Sequence, residues 1–337
     1  MGGSWFDPNN WDNGVSGDNT CAFIDDGGVA TVDSGHAATA QAQRLYLGYS
    51  QGDSGSVVVD GADLDVEYYY PYPDCYGPIY VGNHGRGTLT IDNGRTVYAR
   101  YVYIAAAANQ TGRNSNGTVT VEGGASLLVN PGECSLAGGA QICIGCDANG
   151  NDGGTAVLNI KDATVEVDNL AAEGVLPPGV TVGPSGTLKG NSVLTLTGTT
   201  SLSQTASVLG TLAPSGTLTI KGNLDLTAND TSNSANTICH VTPTANDSVE
   251  VSDATGGGQV TLGGRITVIM SGSFTQGSRF TLVHAAGGRN HTRFRFYSII
   301  SLSGSSGSCI TPTITYDDYN VYLSLESCAS VGGAEDP

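Results

Sequence analysis

One sentence of residues recurs along this chain, and it constrains the fold more than any other feature. A short strand ends in glycine, a variable polar loop follows, then a glycine-bracketed strand of alternating apolar residues, a turn and another short strand. The copies begin with Tyr46-Leu-Gly48, Ser56–Gly61 and Leu64-Asp-Val66, then Tyr80-Val-Gly82, Gly87–Gly94 and Val97-Tyr98. They continue with Tyr103-Ile104, Gly117–Gly123 and Leu127–Val129, then Ile142–Gly145, Gly154–Asp162 and Val165–Val167. Val193–Gly198 and Gly216–Gly222 complete the series. Taking Val59, Ile91, Val121, Ile160, Leu196 and Ile220 as equivalent gives spacings of 24 to 39 residues. Such variation fits coils of fixed core with loops of free length. Within each strand the period is two, so Leu89 and Ile91 point one way while Thr88 and Thr90 point the other.

Composition supports a β architecture. Glycine fills 49 of 337 positions and charged residues only 13%, against averages near 7% and 25%. Good helix formers are correspondingly scarce. No apolar run reaches the length of a membrane-spanning helix, the collagen period is absent, and 39% hydrophobic residues suffice for a core. A closed sandwich has no reason to reuse one strand-loop-strand sentence six times, whereas stacked coils do. The expected fold is all-β: a right-handed parallel β-helix (β-solenoid) of about a dozen coils at ~20–25 residues each. Residues 1–20 read as a remnant (the first four residues, in place of a removed signal peptide) followed by an N-terminal cap around Trp5–Asn13. Residues 21–176 and 177–300 read as two solenoid halves meeting at Pro177-Pro178, and 301–337 as a C-terminal hairpin cap and tail. Residues 229–248, rich in Asn, Thr, Asp and Ser, read as a long loop.

The net charge is −18, which disfavours nucleic acid and anionic membrane as partners. The charge is uneven: residues 1–168 carry −14, the remainder −4, and between Asp253 and Asp317 five arginines occur without one acid. That stretch suits the acidic half of a neighbouring molecule, or a solvated face.

Eight cysteines suggest an oxidising compartment. Strands Ile310–Tyr316 and Val321–Glu326 form a hairpin in which Tyr316 faces Val321 and Ile314 faces Leu323, so Cys309 falls opposite Cys328 for a disulfide. The other six cysteines allow 15 connectivities. Cys143-Ile-Gly-Cys146 lacks the second ligand pair of a zinc site and the βαβ setting of a thioredoxin, and reads as structural disulfide cysteines.

Taken together, the opening Gly-Ser-Trp-Phe-Asp-Pro-Asn-Asn-Trp, the Tyr-Val-Gly…Gly-Thr-Leu-Thr-Ile-Asp-Asn-Gly repeats and the ending Gly277–Val283, Ile314–Tyr316 and Val321–Leu325 resemble autotransporter-type β-helix passenger regions of bacterial surface proteins. The resemblance implies a β-helix and export to the surface. It carries no catalytic residues, and eight cysteines exceed what such passengers usually hold.

Short motifs add little chemistry. Gly52-Asp-Ser-Gly55 lacks the upstream His and Asp of a serine protease, and Asp33-Ser-Gly35 lacks the second copy of an aspartic protease. Neither a zinc-protease helix motif nor a phosphate loop occurs. Asp147, Asn149 and Asn151 are Ca²⁺ candidates at alternating positions, without the closing acid at Leu158. Asp63, Asp65 and Glu67 share one expected face; with Arg86, Arg95 and Arg100 they form the candidate set for a uronate-cleaving enzyme, or a solubilising acidic row. Tyr68, Tyr69, Tyr70, Tyr72 and Tyr76 crowd one loop, which suits sugar stacking or protein contact as well as local packing. Two readings follow: an extracellular structural or adhesive solenoid, as surface protein or filament subunit, or a carbohydrate-active enzyme on an acidic polysaccharide. No cofactor beyond structural Ca²⁺ is expected. The expected partners are a second copy or a carbohydrate-bearing surface.

Overall fold

Alternation of small apolar and polar residues, interrupted by glycine every few positions, leaves each segment one buried face and a forced turn. The computed structural model realises this as stacked triangular coils. It describes residues 2–35, 38–68, 75–106, 115–130, 140–146, 153–169, 179–198, 204–227, 235–253, 257–301 and 310–327, with backbone alone at 67, 68, 75, 76, 169 and 198.

Each coil contributes one strand to each of three sheets. In one coil these are Arg86–Ile91, Thr96–Ala99 and Tyr101–Ile104, on what we term the first, second and third faces. The first face has eleven strands, the second twelve and the third nine. Between successive coils the pairing is parallel and in register: Val57, Leu89, Val119, Leu158, Leu188 and Leu212 form one inward row. Leu64, Val97, Leu127, Val165 and Leu194 form a second row; Leu45, Ile79, Val102, Ile142 and Val180 form a third. All of these side chains are fully buried. At roughly 1.5–3 kcal/mol for each aliphatic side chain buried, these rows are the main source of stability. The fold is therefore the expected parallel β-helix.

Two details depart from the sequence reading. Val59, Ile91, Val121 and Ile160 are in register on the first face, but Leu196 and Ile220 lie on the second face, in Val193–Gly198 and Thr217–Lys221. Their first-face equivalents are Gly190 and Pro214. The Thr-alternating pattern changes face there because the first-face strands shrink to Gly186–Gly190 and Thr211–Pro214. The expected loop over 229–248 contains a first-face strand, Asn236–Val241, whose residues Thr237, Cys239 and Val241 are buried. Asn236, Ile238 and His240 occupy the alternate outward positions of an ordinary half-buried strand, and Thr237 takes a core position. Pro177-Pro178 lies outside the described residues, and the sheets run continuously past it: Val165 pairs with Leu194.

Trp5 seals the N-terminal end. It is wholly buried, its backbone N–H donates to the Thr31 carbonyl at 2.7 Å, and Trp11 packs edge-on against it at 4.9 Å. Trp11 also donates its indole N–H to the Trp5 carbonyl. Gly2–Ser4 forms the first strand of the first face, paired with Val29–Thr31. At the other end Ile310–Tyr316 and Asn320–Ser327 form the expected antiparallel hairpin, with Tyr316 opposite Val321 and Ile314 opposite Leu323. The register ends at Ile310 opposite Ser327, and Cys309 and Cys328 lie just outside the described residues.

The cysteine reading needs correction. Cys21, Cys146 and Cys239 are thiols, so no bond joins Cys143 to Cys146. Cys146 is buried after the Gly145 corner, and its thiol donates to the Thr181 carbonyl at 3.5 Å. Cys239 occupies an inward position beside Val268, where burial pushes its pKa far up. Cys146 and Cys239 act as small core residues.

Candidate functional site

Register converts spaced residues into a column. On the third face the outward positions Phe23, Tyr46, Tyr80 and Tyr103 pair directly from coil to coil. Their rings stack at 4.7, 4.9 and 5.1 Å, with planes within 16° of parallel. Tyr101 adds a near-parallel neighbour at 5.9 Å, with the Arg100 guanidinium 5.1 Å from its ring centroid. Burial raises the Tyr80 and Tyr103 hydroxyl pKa values. The Tyr46 side chain hydrogen-bonds Arg44, which strengthens the guanidinium's hold on its proton.

Stacking along the coil axis has a chemical consequence. Each inner ring has both faces covered by its neighbours, so only edges and hydroxyls face outward. Open ring surface is left at the N-terminal end, where Phe23 is 49% exposed, and on Tyr49, 41% exposed. Tyr49 stands edge-on to both Phe23 and Tyr46, at 5.4 and 5.1 Å. Tyr49 also stands edge-on to His84 at 6.3 Å. His84 belongs to a groove of about 450 Å³ lined by Gln51, Gly52, Asp53, Ser54, His84, Gly85 and Arg86.

The groove exists because two loops turn sharply at the corner between the third and first faces. Gly48 has φ +63°, and a Cβ there would strike the Arg86 backbone; Gly82, one coil on, has φ +70° and would strike the Asn116 carbonyl. Gly55 leaves no room for a side chain against the Ile24 carbonyl, which explains the Gly-Asp-Ser-Gly sequence. Asp25 anchors the corner by accepting the Tyr49 N–H at 2.7 Å. Burial, helped by Asp53 and Asp26, raises the Asp25 pKa, and the Tyr49 hydrogen bond opposes that rise.

The sequence-predicted residues distribute unevenly around this site. Arg86 lines the groove at the start of a first-face strand, whereas Asp65 lies in the second-face strand Leu64–Tyr68 and Asp63 immediately precedes it. Asp63 accepts the Thr96 N–H of the next coil at 2.9 Å, a structural role. Glu67 pairs through its backbone with Tyr76, and Tyr68 with Cys75. Tyr69, Tyr70 and Tyr72 lie outside the described residues, as do Asp147, Asn149 and Asn151. Among the described residues no cluster of three or more His, Cys, Asp or Glu side chains is arranged to hold a metal ion. Sequence reasoning missed Phe23, Tyr46, Tyr49, Tyr80, His84 and Asp53 as one surface. The available signal was the recurrence of Tyr at a fixed place before each corner, in Tyr46-Leu-Gly48, Tyr80-Val-Gly82 and Tyr103-Ile104. Comparison of the chain with protein-family models, curated proteins and solved structures finds no match.

Proposed function

We propose that this chain is an extracellular structural or adhesive β-solenoid that holds a carbohydrate-bearing surface through the corner formed by Phe23, Tyr49 and the adjoining groove. The observation that carries the reading is the juxtaposition of an open Tyr49 ring with a groove lined by Gln51, Asp53, Ser54, His84 and Arg86. A sugar presents an apolar ring face and a rim of hydroxyls. An aromatic ring beside mixed donors and acceptors matches both. Packing against Tyr46 holds Phe23 and Tyr49 in place, so little side-chain entropy is lost on contact. The polysaccharide-cleaving alternative is weaker, because Arg86 is on a different face from Asp63 and Asp65, and Asp63 is occupied by Thr96. Export rests on composition and on the resemblance to passenger regions; Cys21, Cys146 and Cys239, as thiols, lend it no support.

Retention of the purified chain on a panel of immobilised neutral, amino and uronate glycans tests this. Tyr49→Ala is expected to weaken retention about tenfold, the loss typical of one aromatic contact, while Tyr98→Ala on the second face leaves it unchanged. Retention of both variants at wild-type strength would overturn the assignment of the corner. Release of an ultraviolet-absorbing unsaturated product from uronate polymers would overturn the non-enzymatic reading.

A further inference from the structure

A β-helix exposes unpaired backbone at each end unless something covers it. The two ends of this one are closed differently. At the C-terminal end the second face is finished by the antiparallel hairpin. The last third-face strand, Val260–Thr261, is covered by the segment that follows Ala285: Val260 N–H donates to the Gly288 carbonyl and Leu262 N–H to the Thr292 hydroxyl. Arg289 locks that segment down, donating to the Asp317 and Thr292 carbonyls. The first face has no such closure among the described residues. Its last strand, Phe296–Ser301, pairs on one side with Arg265–Met270, and no described strand pairs with the other. It also carries the two most exposed large apolar side chains of the described residues, Tyr297 at 62% and Phe296 at 56%, together with Ile300 at 43%.

The opposite end offers a complement. A hollow of about 300 Å³ opens there between the cap and the first coil, lined by Asn10, Trp11, Phe23, Asp25, Val29 and neighbouring glycines. Charge is complementary as well. Residues 2–43 include six aspartates and no Lys or Arg, whereas residues 254–316 include five arginines and no acid. Arg293 and Arg295 are exposed immediately before the open strand, and Asp26 is exposed beside the hollow. An apolar projection flanked by arginines at one end, and at the other a hollow that joins Trp11, Phe23 and Val29 to Asn9, Asn10 and Asp25, make a contact that repeats without closing.

We infer that a second copy of this chain docks head to tail, the Phe296–Ser301 edge of one molecule seating against the Trp11–Phe23–Val29 hollow of the next. The inference deepens the structural side of the function proposed above; the docking hollow shares Phe23 with the glycan corner, so assembly and glycan retention are measured separately. Light scattering after size exclusion, with electron microscopy of the purified chain, tests it. At low salt and up to about 100 μM, where micromolar contacts are populated, wild-type chain is expected to form linear assemblies. They should shorten in about 0.5 M salt, where charges a few ångströms apart are screened.

Ile300→Asp at one end and Val29→Arg at the other are each expected to raise the concentration needed for assembly at least about tenfold. Both positions are exposed, and circular dichroism confirms folding. If Ile300→Asp does not fold, Arg295→Glu serves in its place with the same expectation. The two variants mixed together retain one intact end each and should form dimers that grow no further. A wild-type chain that stays monomeric throughout would overturn the inference. So would a Val29→Arg variant that assembles like wild type, because a tail-to-tail contact does not use that end. Monomeric Ile300→Asp that still binds glycans separates failure of assembly from failure of the corner.

Discussion

At the residue scale the corners after the third-face strands ask for one backbone conformation and receive it from different residues. Gly48, Gly82 and Gly145 hold φ between +63° and +70°, while Ala105 holds +52° at the equivalent place. An L-residue in this region costs roughly 1–2 kcal/mol. Ala105→Gly is thus expected to leave stability unchanged or raise it by up to about 1 kcal/mol, strain relief being offset by the freer unfolded chain. Gly82→Ala meets both the φ penalty and the Asn116 carbonyl, and is expected to cost more than about 2 kcal/mol. Denaturant titration of the two variants against wild type checks both signs at once. The glycine at these corners was legible from its recurrence in Tyr-Leu-Gly and Tyr-Val-Gly. Ala105 was not, because nothing in its side chain marks the left-handed region.

The hairpin shows most plainly how sequence sets an element. Alternation on both strands and a four-residue connection admit one register that puts Ile314, Tyr316, Val321 and Leu323 together, and the structure has that register. The turn chemistry was less visible. Burial alone would raise the Asp317 pKa, but its carboxylate accepts hydrogen bonds from the Tyr322 hydroxyl, the Tyr319 N–H and both the side chain and N–H of Asn320. Together these hold its pKa down at about 2. A carboxyl whose folded pKa is depressed contributes stability above its ordinary value near 4, and that contribution is lost as pH falls through the folded value. The protection of the Tyr319 and Asn320 amides, taken relative to their intrinsic exchange rates, is expected to hold steady down to about pH 4 and to fall towards pH 2. In Asp317→Asn that pH-dependent step should vanish; a step that persists would assign it elsewhere. Arg279 lies 3.4 Å from the Tyr322 ring centroid, which ties the hairpin to its sheet neighbour Arg279–Ala285. The aromatic column was legible only in part, through the Tyr that recurs before each corner. Phe23, Tyr46, Tyr80 and Tyr103 are far apart in sequence, and only coil lengths, set by loops of unequal size, bring them into line.

For the whole molecule each coil touches chiefly the coils above and below, so stability is a chain of neighbour terms. Protection from amide exchange is expected to peak in central strands such as Asn116–Glu122 and Thr155–Lys161 and to decline towards Phe296–Ser301. Uniform protection from end to end would show one cooperative unit instead. The class of fold and the sense of the repeats were readable because period-two alternation and corner glycines are local signals. The change of phase after Asn169 was not, since short strands such as Thr211–Pro214 carry too few residues to show alternation.

Equal register with unequal coil length carries one more consequence. Successive inward positions are 24 residues apart from Leu188 to Leu212 but 39 from Val119 to Leu158, and the sheets do not notice the difference. A chain built this way is modular at the level of its gene. Joining Val57 directly to the residue after Leu89 would excise a turn of the spiral and leave every remaining side chain on its proper side, so such proteins can lengthen or shorten by duplication and deletion without refolding their plan.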